Sequence, residues 1–213
     1  MKIRIIAAIL TILAGLTIVL YPWVKAWYFN CLSYRAMRLW QERIALSGSS
    51  TPPNPPGLPA YNIGQLLIAE DTDPIYDMDY VVNNMEGIIN IDAINLHSPI
   101  FYVETKKNLD LGICRLYGSV NAGENGNYIL AGHKSRIYGR HFNRLKEMSI
   151  GDKVTIQTPW QIYTYAVTDH FAVTADEDWV LNDDFNKIQI TLITCDYDMH
   201  PIGRYVVRGE LVE

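Results

Sequence analysis

Cys195 and Arg204 are the pair whose types and spacing best fit chemistry. Cys195 follows an alternating run, Lys187 to Ile193. Ile188, Ile190 and Leu192 share one face of it, and Gln189, Thr191, Ile193 and, by continued parity, Cys195 share the other. Nine residues on, Arg204 opens a second run, Arg204-Tyr-Val-Val-Arg-Gly-Glu-Leu-Val212. A thiol and a guanidinium then lie at the same end of neighbouring strands. A thiolate attacks carbonyl carbon, and a permanently charged planar donor beside it stabilises the oxyanion that results. That combination suits acyl transfer.

A cysteine nucleophile needs an imidazole, and five histidines are available. His133 ends the apolar run Asn127-Tyr-Ile-Leu-Ala-Gly-His133, where Ala131 and Gly132 permit close approach. His200 is five residues beyond Cys195, in the loop before Pro201. Local physics ranks His133 only modestly ahead of His200. His97, His141 and His170 read as surface or loop residues. Cys114 and Cys31 read as inert, and Arg208 shares Arg204's face but lies four residues deeper, about 3.3 Å each. His133, His141, His200 and Cys195 stand at no recognised ligand spacing, so no metal is expected.

The elements that must position these groups are mostly strands. Short runs rich in Ile, Val, Tyr and Thr cover 87–91, 99–103, 128–131, 153–158, 162–173, 187–193 and 205–212, with turns at 123–126, 150–152, 158–160 and 182–184. Asn108 is placed to cap a turn through Ile113, and Phe142, Leu145 and Met148 mark a short amphipathic helix. Seven or eight strands in residues 86–213, with few helices, favour a closed β-barrel.

Ahead of the barrel, Ile5 to Val24 is uncharged, and about 20 helical residues cross a bilayer core of about 30 Å. Trp23, Trp27 and Tyr28 follow at interfacial depth. No small-x-small cleavage site directly follows the run, so residues 1–24 read as an uncleaved transmembrane signal anchor. Lys2 and Arg4 on one side and Lys25, Arg35 and Arg38 on the other leave its orientation open by charge. Residues 25–46 read as a juxtamembrane helix serving as a stalk. Residues 47–85 form a Pro-rich linker and acidic extension. The chain has 213 residues, 49% hydrophobic and 19% charged, with a formal charge of −5. No basic stripe suggests nucleic acid, and three scattered cysteines make no disulfide framework.

Leu130-Ala131-Gly132-His133, Thr191-Leu192-Ile193-Thr194-Cys195 and Arg204 opening the last strand, in that order, resemble the sortase family of cysteine transpeptidases. The resemblance implies an eight-stranded barrel, Cys195 as nucleophile, His133 as acid/base and Arg204 as stabiliser of the substrate carbonyl or oxyanion. Thr194 and Ala131 would help position substrate. It also implies cleavage of an LPxTG-like sorting signal between Thr and Gly through a thioacyl-enzyme, with transfer to a peptidoglycan precursor or other wall amine. Conserving the acyl energy in the thioester makes a cofactor unnecessary. The implied place is the cell membrane, with a cytoplasmic N-terminus and an outward-facing domain. Residues 131–145 are most similar to class D sortases, and the brief Cys195–Arg204 loop and the C-terminal strand resemble class A. Asp73-Pro74 resembles the lid of pilus-assembling class C enzymes, although residue 75 is Ile. The rival readings are a tethered β-barrel that binds ligands without catalysis, and a class C-like polymerase.

Overall fold

The computed structural model describes residues 2–47, 78–135 and 140–213. Period-two alternation along the chain produces eight strands. They are β1 (Met85–Ile91), β2 (Leu96–Phe101), β3 (Ile113–Arg115), β4 (Gly126–Ala131), β5 (Lys153–Gln157), β6 (Ile162–Val173), β7 (Ile188–Asp196) and β8 (Gly203–Leu211). They close in the order β1-β2-β3-β4-β7-β8-β6-β5, the expected barrel. Pairing is antiparallel except at β2–β3 and β4–β7. Alternate residues such as Ile89, Leu130, Ile156, Ile190, Leu192 and Val207 fill the interior. On the outer side, Ile129, Ile193 and Val206 bury themselves with Val173 and Val180 under the β6–β7 connection. Buried side chains of this size contribute about 1.5–3 kcal/mol each, an upper figure.

Three local expectations are corrected. β3 has too few residues to display alternation, yet it closes the barrel between β2 and β4. Helix α3 (Lys106–Leu111) ends before Ile113 and is capped by Thr105, whose hydroxyl accepts from the Asn108 amide at 3.1 Å. The Asn108 side chain instead donates to the Val103 carbonyl and accepts from the Tyr80 hydroxyl. Phe142, Leu145 and Met148 are buried as expected, but only Leu145–Glu147 is helical, as 3-10 turns. Three-residue spacing fits that tighter helix better than an α-helix.

Helix α1 runs unbroken over Lys2–Ser47 and includes Pro22. Its described apolar residues from Leu10 to Val24 are exposed, as a lipid-facing segment would be. Residues 29–40 do not form the free stalk the sequence suggested. Phe29, Ala36, Met37 and Trp40 are buried against Met85, Ile88, Phe101 and Leu111. Helix α2 (Met78–Asn84), within the stretch read as linker and extension, packs into the same cluster through Val81 and Val82. The Trp40 indole donates to the Met85 carbonyl at 3.3 Å. The Pro-rich stretch and Asp73-Pro74 lie outside the described residues.

Glu86 sits at the β1 bulge between Met85 and Gly87 and is buried. Its carboxylate accepts from the Tyr128 hydroxyl and lies 3.1 Å from Arg115 Nε. Burial pushes its pKa up to about 6, against the opposing pull of Arg115 and Tyr128. A carboxyl raised in the folded state contributes stability that is fully present below its unfolded pKa and lost as pH rises through the folded one. Glu86→Gln should therefore remove a fall in stability of about 2 kcal/mol between pH ~4.5 and pH ~7, measured by denaturant unfolding of both proteins.

Candidate active site

Strand register brings the three residues singled out in the sequence to one place. Cys195 and Arg204 are directly paired across β7 and β8. β4 and β7 run parallel with Ala131 opposite Ile193, and the Gly132 amide extends that ladder by donating to the Ile193 carbonyl at 3.1 Å. Counting on by two residues from that pair places 133 beside 195, a strand spacing of about 4.8 Å away. Parity puts all three on the outer face of the wall. Cys195 continues from Ile193, His133 from Ile129 and Ala131, and Arg204 leads to Val206, all in or beside the outer cluster. Cys195 and Arg204 are partly exposed, and the His133 side chain is 49% exposed, so a substrate can reach them. Arg204 Nη1 donates only to the Gly203 carbonyl at 3.2 Å among the described contacts, which leaves most of its fork for a ligand.

Gly132 is required for close approach. A Cβ there would lie 2.6 Å from Ile113 Cδ1 and 2.8 Å from Phe142 Cδ2, pushing the His133 backbone off the β7 ladder. The return of the chain fixes it from the other side, with the Phe142 amide donating to the His133 carbonyl at 3.1 Å.

The remaining sequence candidates fall elsewhere. Ala131 is half-buried and paired with both Cys114 and Ile193. Thr194 is buried and alternates to the inner face with its partner Tyr205, so only its backbone borders the outer face. His200 is exposed in the 197–202 connection. Arg208 donates to the Val180 carbonyl at 3.1 Å and lies 5.0 Å from the Trp179 ring, holding the 3-10 turn Asp178–Leu181 in place. Burial, with Glu104 and Glu86 nearby, pushes the Cys114 thiol far up, which leaves it inert.

Three residues near the site were not anticipated. Asp110 Oδ1, from α3, lies 3.9 Å from His133 Nε2. His141, expected on the surface or in a loop, is buried in the left-handed region at φ 51°, its ring 6.1 Å from that of His133 and edge-on to it. Burial pushes its pKa down to about 3, helped by the Arg140 and His133 charges and opposed by a hydrogen bond with the Gly112 backbone. It is a neutral wall behind His133.

The third is Lys146. Its ammonium donates to Asp196 Oδ1 and Asp198 Oδ2, both at 2.6 Å, and the Lys134 ammonium lies 3.8 Å from Asp198. These residues flank His133 and Cys195, so one clamp ties together the backbone segments that carry both. Burial alone would raise the Asp196 carboxyl. The Lys146 hydrogen bond, the Asp198 amide and the two ammonium charges outweigh it and hold the group below the usual carboxylate range. With a depressed folded pKa, this contribution is present above the unfolded pKa and is lost only as pH falls through the folded one, so the clamp holds at neutrality. Lys146→Met should lower kcat about tenfold, the equivalent of one lost charge-assisted hydrogen bond, with KM little changed. Lys146→Arg should restore most of it, and steady-state kinetics on both variants checks this.

Comparison with known proteins matches this architecture to named families. A family model described as the Sortase domain matches residues 89–212. A sortase A of Bacillus anthracis is 35% identical over 153 residues, covering 72% of this chain and 70% of that protein. The structure of a sortase D5 transpeptidase of Clostridium perfringens superposes with a TM-score of 0.61 at 20% identity, over 86% of this chain and 99% of that one, a likeness of fold. The structure of Listeria monocytogenes sortase A superposes with a TM-score of 0.56 at 29% identity, over 61% of this chain and 88% of that one.

Proposed function

This chain belongs to the sortase family of cysteine transpeptidases, and from that premise we propose that Cys195, His133 and Arg204 perform the reaction on an LPxTG-like sorting signal. The observation that carries the reading is the shared register, with Cys195 paired to Arg204 and His133 one parallel strand away on the same outer face. The Cys195 thiolate attacks the carbonyl carbon of the Thr–Gly bond, and the oxyanion forms against the Arg204 guanidinium. As the C–N bond breaks, the His133 imidazolium gives its proton to the departing glycine amine, leaving a thioester on Cys195. An incoming amine attacks that thioester, His133 takes the amine's proton, and the thiolate leaves as the new amide forms.

Ala131 and the Thr194 backbone would border the bound signal. The exposed apolar part of α1 supports a single-pass anchor with the barrel outside the cell, surface proteins as acyl donors and a cell-wall amine as acceptor. Residues 1–24 would span the bilayer and 86–213 would form the catalytic barrel. The sequence of residues 131–145 is what favours class D within the family.

Incubating the full chain with an LPxTG-type peptide and an amine such as triglycine, then identifying products by mass, tests this reading. The expected product is the peptide cut after Thr and joined to the amine, and intact peptide across a panel of sorting signals would contradict it. Arg204→Lys keeps the charge but loses the planar fork, and turnover should fall about 10²-fold, the effect of losing an oxyanion donor.

A further inference from the structure

The contacts of α1 follow an order along the helix that fixes which end of the barrel faces the bilayer. At its membrane-side end the Phe29 ring lies under the Arg140 guanidinium, 4.6 Å to the centroid. Arg140 donates to the Asp110 carbonyl at 2.6 Å, and the Asp110 carboxylate is the group 3.9 Å from His133. One turn on, Ser33 donates to the Leu111 carbonyl at 3.2 Å, and Tyr34 stacks on His97. At the other end, Trp40 reaches Met85 and the Gln41 amide donates to Gln157 at 3.2 Å. Gln157 ends β5 at the hairpin where β6 begins, whereas β6 ends at Val173, opposite Arg204. The helix thus runs along the barrel from the site end to the opposite end.

Trp23, Trp27 and Tyr28 are exposed immediately before Phe29, where amphipathic rings settle at headgroup depth. Phe29 follows the last residue of the uncharged run, Val24, by about 7.5 Å of helix. α1 is one continuous helix through Pro22, so the docked part continues the apolar segment without a break.

We infer that the docked helix holds the end of the barrel bearing Cys195, His133 and Arg204 against the bilayer surface, with the opposite end, at the β5–β6 hairpin, farthest from it. This rests on the reading of α1 as a membrane anchor. A donor confined to the headgroup layer meets the thiol without leaving it, and the gain is one of effective concentration rather than of new contacts.

The test uses the full chain in lipid vesicles, with Cys31→Ser removing the exposed competing thiol. A fluorophore is placed on Cys195 or, in a Cys195→Ser background, on Gln161→Cys at the β5–β6 hairpin. Energy transfer to headgroup-labelled lipid should be at least about twofold stronger from position 195, because Phe29 and Gln41 differ in height by about 18 Å. The pair Phe29→Ala and Trp40→Ala, which loosens the docked helix, should shrink that difference. Equal or reversed transfer in chains that stay with the lipid through alkaline extraction would overturn the inference and leave the anchor reading standing. A difference unchanged by the loosened pair would also overturn it. Chains that the alkaline wash releases would overturn the anchor reading itself.

Discussion

Cys195→Ala is expected to abolish transpeptidation, with kcat/KM falling by at least about 10³-fold, while the barrel unfolds at an unchanged denaturant midpoint. The reason is local. Cys195 is partly exposed on the outer face of the barrel wall, so trimming it leaves no large cavity. Its sulfur, in contrast, is the atom that the proposed mechanism bonds to substrate. Neither other cysteine can replace it. Cys114 is buried on β3 with its thiol held protonated, and Cys31 lies exposed on α1, outside the β7–β8 pair that carries Arg204. The same pattern separates this enzyme from a tethered binding module, in which Cys195→Ala would leave ligand binding intact and there would be no turnover to lose. Residual turnover within tenfold of the parent chain would remove Cys195 from the mechanism.

His133→Ala is expected to lower kcat/KM by about 10²–10⁴-fold, the range for a general acid–base, while His200→Ala leaves turnover near that of the parent chain. The two histidines were hard to separate in the sequence because His200 is nearer to Cys195 along the chain. Strand order is what favours His133 in the proposed mechanism. β4 and β7 are parallel neighbours, which puts residue 133 beside 195, and His200 sits exposed in the connection beyond. The reverse outcome, with His200→Ala inactive and His133→Ala active, would reassign the acid/base and cancel the role given to Arg204 beside it.

How much of this was legible in the sequence depended on how local each signal was. β6 came out at Ile162–Val173 as read, because eight of its twelve residues are β-branched or aromatic and state the pattern without help. β7 was read as ending at Ile193 but continues through Asp196, so Cys195 is a strand residue with a cross-strand partner rather than a loop residue just past the end. The docked face of α1 was written in the chain as Phe29, Ala36, Met37 and Trp40, a stripe at near-heptad spacing. The apolar run before it drowned that signal, and the helix read as a stalk. His141 and Lys146 left no local trace at all. His141 is buried only because the chain folds back onto His133, and the Lys146–Asp196 bond joins residues 50 positions apart. Contacts of that separation follow from the barrel's closure and not from any window of sequence.

Catalysis by covalent transfer is tested most directly by the intact mass of the full chain mixed with an LPxTG-type peptide in the absence of any amine acceptor. The mass of one acyl fragment ending in Thr should appear on the protein, map by digestion to the peptide containing Cys195, and disappear on addition of hydroxylamine. An unmodified Cys195 under conditions where the peptide is nonetheless cut, or an adduct mapped to another residue, would contradict it.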